Sequence, residues 1–333
     1  MNDAPPAAGR LRVTIDDSSG ERLDLRVAKA LDTSRTRAAT LIANGCVTVD
    51  GAREKASFRA EPGSTIEIEV PAAPERRELV GEQIPVVVAY EDEHLVVIDK
   101  AAGMVVHPAP GHWSGTLVNA LLGRGEQLAQ GGDASRAGLV HRLDKETSGL
   151  IVVAKTERAH QRLSADLAAR RIARRYAALS RGHIARDQIR VDANVGRDTR
   201  DRRRMAIVKT GRTAVTDFVR IARFAHADLL RAQLHTGRTH QIRVHLASVG
   251  HSVVGDDTYG GGAARKVVEM PAGRHFLHAA WLRFRHPVTD AVCDVRSELP
   301  ADLRRALASA AGDATFIEHP KPLDYLGFFS SDG

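Results

Sequence analysis

The sequence predicts an α+β protein in two parts, a small N-terminal α/β domain and a larger domain that mixes helices and strands. Apolar residues recur at helical spacing over residues 22–31, whereas residues 65–70 alternate as a half-buried strand does. The Pro-containing, charged segment 71–84 then interrupts both patterns and predicts a linker. A chain of 333 residues is long enough for two domains that each bury a core.

The predicted boundaries follow from these changes in pattern. Residues 1–19 are small and polar, and we expect them to be mobile. The N-terminal domain then covers residues 20–70, and the larger domain covers residues 85–313. Residues 314–333 have no recognisable pattern and are assigned to a C-terminal tail.

Composition favours a folded protein of the cytoplasm. Hydrophobic residues make up 43% of the chain, which argues against disorder, and no apolar run approaches the roughly 18 residues of a membrane-spanning helix. Cys46 and Cys293 lie in different regions and suit a reducing compartment. We therefore expect a cytoplasmic protein that makes no contact with a membrane. We also expect it to be a monomer.

The charge distribution points to a polyanionic partner. The net charge is +7, and residues 158–212 alone contain 16 Lys or Arg against 5 Asp or Glu. Such a local excess is expected of a surface that binds phosphates, and three consecutive arginines, Arg202, Arg203 and Arg204, lie within it. A merely solvated basic surface is the alternative.

A short polar loop at residues 141–149, with the sequence HRLDKETSG, is the most informative stretch. It separates small and apolar residues from the apolar run 150–154, so that a polar loop interrupts a buried sheet. A rigid scaffold can present a reactive group in such a loop, and Asp144 is the candidate. Most aspartates, however, are solvated or cap a turn, and composition alone favours that role.

The same string resembles the catalytic motif of the RluA/RluD-type pseudouridine synthases, which isomerise uridine in RNA. The resemblance implies that Asp144 is the essential catalytic residue. It also implies that the larger domain is a catalytic domain with a mixed, largely antiparallel sheet.

Two further strings match this family. The string RRY at residues 174–176 implies that the ring of Tyr176 lies against the target base, with Arg174 in the place of the usual Lys. The string TGRTHQIR at residues 236–243 implies an arginine that pairs with Asp144. We expect that arginine to be Arg243, with Arg238 as the second choice.

The resemblance extends to substrate contacts and to the N-terminal domain. It places five residues at the substrate: His141, Arg142, Arg174, Arg238 and Leu277. Residues 22–51 resemble a small RNA-binding domain first described in a ribosomal protein, which implies that Arg35 and Arg37 contact RNA. An ordinary α/β unit with a solvated helix face remains the alternative for this domain.

The chemistry implied by the family needs no cofactor. Pseudouridine formation breaks the bond from ribose to uracil nitrogen and rejoins the base through a ring carbon, without redox change. The sequence offers no dinucleotide-binding, P-loop or HExxH motif. A carboxylate can attack as a nucleophile, stabilise a cationic sugar or accept a proton, and a buried Arg beside it offsets the cost of burying its charge. The uridine must leave the stacked helix to reach it.

Alternatives from other classes remain at this point. We favour large-subunit ribosomal RNA over transfer RNA as the substrate, because family members with such an N-terminal domain mostly act there. A non-catalytic RNA-binding factor for ribosome assembly could keep the same fold. A metal hydrolase could draw on 15 histidines, but these lack the spacing of metal ligands, and no metal is expected.

Overall fold

The structure is a computed structural model that describes residues 9–71, 79–108, 112–130, 137–261 and 267–330. The chain divides into two compact units, Met1–Glu78 and Leu79–Gly333. Each unit contains helices and strands, so the predicted α+β class is confirmed.

The first unit packs two helices against a three-stranded antiparallel sheet with the order β1-β3-β2. Its elements are β1 (Gly9–Thr14), α1 (Leu23–Ala30), α2 (Arg35–Ala43), β2 (Val47–Val49) and β3 (Thr65–Val70). The side chain of Ser34 caps α2 by accepting a hydrogen bond from the amide of Arg37. After β2, Asp50 and Gly51 both adopt positive φ, which is the turn that an Asp-Gly pair favours.

Strand β1 corrects the expectation that residues 1–19 are mobile. Its six residues pair with β3 from Gly9 opposite Val70 to Thr14 opposite Thr65. The edge of β3 would otherwise leave backbone donors and acceptors unpaired, and Ile15 anchors the end of β1 in the core. Residues 1–8 lie outside the described residues.

The second unit carries a large sheet and six helices among the residues that the structure describes. Its strands are β4 (Val87–Glu91), β5 (Leu95–Lys100), β6 (Ser148–Ala154), β7 (Ala173–Arg181), β8 (Gln188–Asp192), β9 (Val195–Arg197), β10 (Met205–Ile207), β11 (Val215–Arg223), β12 (Ala227–Leu234), β13 (Leu277–Arg285) and β14 (Val292–Arg296). Its helices are α3 (Leu117–Gly123), α4 (Glu157–Ala168), α5 (Gln241–Ser248), α6 (Ala301–Ala311), α7 (Thr315–Glu318) and α8 (Pro322–Tyr325). In the described ranges, no helix is both long and apolar enough to cross a bilayer.

The large sheet is mixed, as the family resemblance implied. Its order is β4-β5-β6-β13-β7-β12-β11-β8, with β14 beside β13. All of its pairs are antiparallel except β6 with β13. The two strands of that parallel pair approach closely at Gly149, where a Cβ would lie 2.4 Å from the carbonyl oxygen of Ala279. This junction sets β6, which follows the Asp144 loop, beside the centre of the sheet.

The two faces of the sheet have different roles. Tyr176 and Leu277 face a core that also contains Ile242 of α5. Ala177 and Trp281 face the opposite core, which contains α6 and the C-terminal residues. The site described below therefore lies on one face of the sheet. The opposite face packs against α6 and the C-terminal residues.

The predicted linker and tail both belong, in part, to this second unit. Residues 72–78 lie outside the described residues, but the segment 79–84 packs on α3, where the side chain of Asn119 donates to the carbonyl of Val80 at 2.8 Å. Residues 315–330 form α7, α8 and a buried turn rather than a tail, with Phe328 fully buried. The guanidinium of Arg231 donates a hydrogen bond to the backbone carbonyl of Phe328 at 2.8 Å.

Candidate active site

A cavity of about 540 Å³ opens on the face of the sheet that carries Tyr176. Its wall is formed by the loop before β6, by β7, by the start of β13, and by the end of β12 together with α5. It collects all of the candidate catalytic and substrate residues of the larger domain: His141, Arg142, Asp144, Arg174, Tyr176, Arg238, Arg243 and Leu277. Sequence strings that lie far apart along the chain thus meet around one cavity.

Asp144 and Arg243 are in direct contact. Nη1 of Arg243 donates to Oδ2 of Asp144 at 3.2 Å. The same guanidinium donates from Nε and Nη2 to the two carboxylate oxygens of Asp256, at 2.7 and 2.9 Å. Arg238, the second choice, instead donates from Nε to the carbonyl of Thr213 at 3.1 Å. The structure therefore pairs Arg243 with Asp144 and adds a second carboxylate that was not predicted.

Charge pairing stabilises this group of three, in which Arg243 and Asp256 are buried. Burial by itself would lower the pKa of Arg243, but the hydrogen bonds and charge of Asp256, with those of Asp144, raise it above the ordinary value. Burial would likewise raise the pKa of Asp256, and the hydrogen bonds from Arg243 lower it instead. Arg243 and Asp256 therefore stay charged, and the cavity keeps a fixed cation next to Asp144.

Two buried basic side chains, Lys100 and Arg274, hold the backbone of the loop that carries Asp144. Nζ of Lys100 donates to the carbonyls of Ala101, Met104 and Lys145 at 2.7, 3.0 and 3.1 Å. On the other side, the guanidinium of Arg274 donates to the carbonyl of Glu146. Burial, with the nearby charge of Arg274, lowers the pKa of Lys100 to about 7.

A histidine completes this support. Nε2 of His275 lies 3.0 Å from the hydroxyl of Thr147, and Thr147 closes the loop by donating its amide to the carbonyl of Asp144 at 3.1 Å. Burial, with the charge of Arg243, lowers the pKa of His275 to about 3, so the ring is neutral. The loop is thus fixed by backbone contacts that leave the Asp144 side chain directed at the cavity.

Tyr176 and Leu277 supply the apolar wall of the cavity. Tyr176 lies on β7 and is almost fully buried, and burial raises the pKa of its phenol. Leu277 begins the neighbouring strand β13 and pairs with Ala178, two residues along β7 on the same face. A flat base that entered the cavity would meet an aromatic ring and an aliphatic side chain.

A tight turn before α5 orients the helix that carries Arg243. The residue before the helix is His240, which adopts a left-handed φ of 56° and makes no side-chain cap. The side chain of Gln241 holds this turn together, because its oxygen accepts hydrogen bonds from the amide of Arg238 at 3.0 Å and from the hydroxyl of Thr236 at 2.8 Å. This turn sets Nε2 of His240 at 3.9 Å from Oδ2 of Asp144.

Three more predicted substrate residues occupy distinct environments. His141 accepts the amide of Val152 at Nε2, at 3.2 Å, and its burial lowers its pKa to about 3. It therefore ties the loop to β6 as a neutral ring. Arg142 is exposed at the cavity, whereas Arg174 is only 8% exposed and its Nε has no hydrogen-bond partner in the described part of the chain.

Comparison with known proteins places this site in a family. A model of the RNA pseudouridylate synthase family matches residues 94–248, and a model of the S4 domain matches residues 21–66. An uncharacterized RNA pseudouridine synthase of Bacillus subtilis is 39% identical over 86% of this chain and 93% of its own length. The chain belongs to the RNA pseudouridine synthase family. The predicted family and enzyme class, an isomerase, are confirmed.

Other relatives and a solved structure agree with this assignment. A protein of Nitrosomonas europaea named ribosomal large subunit pseudouridine synthase D is 41% identical over 89% of this chain and 87% of its own. The structure of human RNA pseudouridylate synthase domain containing 1 matches with a TM-score of 0.53 at 27% identity. That match covers 66% of this chain and 86% of the human chain.

The RNA-binding candidates outside the cavity of this synthase differ in how they are held. On the first unit, Nε of Arg35 donates to the buried carboxylate of Asp24 at 3.1 Å, whereas Arg37 is exposed. On the second unit, Arg202 and Arg203 are exposed between β9 and β10. The guanidinium of Arg204 lies 5.2 Å from the centre of the Tyr259 ring.

Sequence reasoning missed the residues that support the synthase's site. Asp256 and Tyr259 lie in the string GDDTYG at residues 255–260, whose spacing alone indicates no partner. The Tyr259 hydroxyl is 2.8 Å from Nδ1 of His240. No group of three potential metal ligands occurs among the residues the structure describes.

Proposed function

We propose that this chain isomerises specific uridines to pseudouridine in large-subunit ribosomal RNA, with Asp144 as the essential catalytic residue. The observation that carries the proposal is the 3.2 Å contact between Asp144 and the buried Arg243 at the wall of the cavity. The ribosomal substrate is supported by relatives at about 40% identity that are named ribosomal large subunit pseudouridine synthase D. Cytoplasmic location and action as a monomer are part of the same proposal.

Asp144 performs the chemistry of this proposal. The bond from the ribose carbon to the uracil nitrogen breaks, the base turns, and a ring carbon bonds to the same ribose carbon. A carboxylate can attack the nucleotide or stabilise a cationic sugar, and it can accept the proton that the ring carbon loses. That proton balances the one gained at the ring nitrogen, so no oxidant, reductant or outside group is needed. Arg243 keeps the carboxylate oriented.

The cavity receives one nucleotide that has left the RNA stack. A volume of about 540 Å³ is within the range of small-molecule sites, and the glycosidic bond is not accessible in a stacked helix. The ring of Tyr176 offers a stacking surface, which is worth about 1–3 kcal/mol per base. Leu277 excludes water from the same side.

The test is turnover by Asp144→Asn on a large-subunit ribosomal RNA transcript, read as pseudouridine formed. The amide has nearly the shape of the acid, so the variant is expected to fold and bind RNA while forming no pseudouridine. Glu146→Gln is the matched control, because it removes a carboxylate two residues away and is expected to retain activity. Turnover by Asp144→Asn near the parent rate would refute the proposed role, and RNA binding without turnover by the parent would favour an assembly factor.

The choice of substrate needs a separate experiment. Pseudouridines are mapped in ribosomal and transfer RNA from cells that lack the protein and from cells that carry Asp144→Asn. We expect the same positions of large-subunit ribosomal RNA to lose pseudouridine in both. Loss confined to transfer RNA would instead assign this family member to that substrate.

The S4 domain is proposed to hold a more distant part of the RNA. Arg37 is the direct probe, since it is exposed, whereas Arg35 also pairs with Asp24. Arg37→Gln is expected to weaken RNA binding without a change in melting temperature. A fragment that begins at Leu79 is expected to isomerise uridine at high RNA concentration and to choose its sites less well, since one of two linked contacts is gone.

A further inference from the structure

Five arginines line the cavity apart from Arg243, and we call three of them, Arg170, Arg212 and Arg238, the arginine rim. Arg170 and Arg212 are exposed, and Arg238 is half-buried. Within the described ranges, none of the three forms an ion pair with a carboxylate. Nε of Arg238 donates a hydrogen bond to the backbone carbonyl of Thr213, which fixes the guanidinium without neutralising it. The rim is therefore cationic and unneutralised.

The charge of the rim differs from that of Arg243. Two carboxylates, Asp144 and Asp256, already neutralise Arg243. In the rim, burial lowers the pKa of Arg238, and repulsion from Arg212 and Arg170 lowers it further. The rim cations are thus close enough to repel one another, and an anion among them would relieve that repulsion.

The backbone at Arg170 gives independent evidence that this side chain is needed. Helix α4 ends in a Schellman motif, in which the amide of Arg171 donates to the carbonyl of Asp166 and that of Arg170 to the carbonyl of Leu167. Arg170 occupies the left-handed position, with a φ of 59°. Glycine is favoured there because a Cβ is strained at such a φ. An arginine at this position lowers the stability of the folded protein relative to glycine, but it places a guanidinium at the cavity.

We propose that the arginine rim binds phosphate groups of the RNA strand next to the uridine that enters the cavity. Guanidinium groups match phosphate oxygens with two parallel hydrogen bonds and keep their charge at all ordinary pH values. The inference deepens the proposed function, on which it rests, by assigning the backbone contacts to residues separate from Asp144. The base of the uridine would then lie beside Asp144 and Arg243, whose charges are paired. The phosphates of the RNA strand would lie at the arginine rim.

The decisive variant is Arg170→Gly. It removes one rim cation and the backbone strain together, so melting temperature and RNA affinity are expected to change in opposite senses. We expect the melting temperature to rise by about 2–4 °C. In a salt titration with a large-subunit ribosomal RNA transcript, the slope of log affinity against log salt is expected to become shallower by about 0.7. Neutralising the whole rim with Arg212→Gln and Arg238→Gln in addition is expected to reduce the slope by about 2.

Arg158→Gln is the matched control. Arg158 is an exposed arginine on the same helix, about 18 Å from Arg170 at 1.5 Å per residue, and it does not line the cavity. The control is expected to keep the parent slope. The inference is overturned if Arg170→Gly keeps the parent slope, or if Arg158→Gln reduces it equally.

The two proposals fail in different ways. RNA binding with the expected slopes but no pseudouridine would refute the proposed function and leave the phosphate site standing. Pseudouridine formation with an unchanged slope for Arg170→Gly would refute the phosphate site alone. A parent that binds no RNA at all would overturn both.

Discussion

Arg243 donates two hydrogen bonds to Asp256 and one to Asp144, so one guanidinium is shared by two carboxylates. The bidentate contact with Asp256 fixes the arginine, because both oxygens of that buried carboxylate are engaged. The contact with Asp144 uses one oxygen and leaves the other free of Arg243. Arg243 and Asp256 therefore form a rigid pair, while Asp144 keeps one carboxylate oxygen that can engage a substrate.

Replacing Arg243 should cost both stability and turnover. Arg243→Ala leaves the buried Asp256 without its partner, and breaking such a pair costs about 3–5 kcal/mol of unfolding free energy. Arg238→Ala is the comparison, since Arg238 has no carboxylate partner among the described residues, and it should cost less than about 1 kcal/mol. Urea unfolding measures both. Equal losses for the two variants would contradict the distinction.

Asp256 should affect turnover although it is buried behind Arg243 and is not among the residues that line the cavity. Asp256→Asn keeps the shape but removes the charge that fixes Arg243, and charge-assisted hydrogen bonds are worth about 1.5–3 kcal/mol. We expect turnover to fall about ten- to a hundredfold. Asp257→Asn changes the exposed neighbour and should leave turnover within about twofold. Unchanged turnover in Asp256→Asn would show that the orientation of Arg243 does not matter.

The ring of Tyr176 should matter more than its hydroxyl. Tyr176→Phe keeps an aromatic face at the cavity wall and should keep most of the RNA affinity and turnover. Tyr176→Leu removes the stacking surface, which should weaken productive binding by about 1–3 kcal/mol. Steady-state kinetics with saturating and subsaturating RNA separate the two effects. A larger loss in the Phe variant would assign the role to the hydroxyl.

Two histidines with lowered pKa values should make the protein less stable in acid. Burial holds the pKa of His141 and of His275 at about 3, against 6.5 for an unperturbed ring. The unfolded chain therefore binds more protons below about pH 6.5, and the free energy of unfolding falls as the pH drops from there towards 3. Each ring contributes up to about 1.4 kcal/mol per pH unit within that window and no slope above it.

Unfolding at several pH values tests this dependence. His275→Gln replaces the titrating ring with an amide that can still contact Thr147, so the loss of stability between pH 6 and 4 should become shallower. His112→Gln changes an exposed histidine and should keep the parent dependence. If His275→Gln also keeps it, the buried ring does not remain neutral in the folded protein.

The C-terminal residues should behave as core. Phe328 is fully buried, whereas Tyr325, on the same short segment, is 70% exposed. Phe328→Ala should cost about 3–5 kcal/mol of unfolding free energy, and Tyr325→Ala less than about 0.5 kcal/mol. Thermal and urea unfolding provide the measurement. Small losses for both variants would restore the view that residues 314–333 are a tail.

Much of the fold was predictable because local patterns agree with it. The alternation over residues 65–70 gives β3, and the helical spacing over residues 22–31 gives α1. Strand β1 was missed because its residues Gly9–Thr14 carry charges between few apolar side chains. Strand β1 forms because the edge of β3 offers unpaired backbone groups, and no pattern within residues 9–14 reveals that edge.

The site divides in the same way. Asp144, Tyr176 and Arg243 lie in strings long enough to identify a family, and the structure brings them to one cavity. Asp256 and Arg274 could not be assigned, because their roles depend on partners that only the folded sheet brings near. The arginine at position 170 was equally hidden, since its unusual backbone is a property of the helix end rather than of the residue type.

The supports of the Asp144 loop also bear on when the site can form. Lys100 contacts the carbonyl of a residue 45 positions later, and Arg274 contacts one 128 positions earlier. Contacts between such distant residues form slowly, because closing a long loop costs entropy before any contact stabilises it. We therefore expect folding to order Asp144 late, after β13 has joined β6. A nascent chain that has exposed residues 141–149 but not β13 would carry the motif without a competent active site.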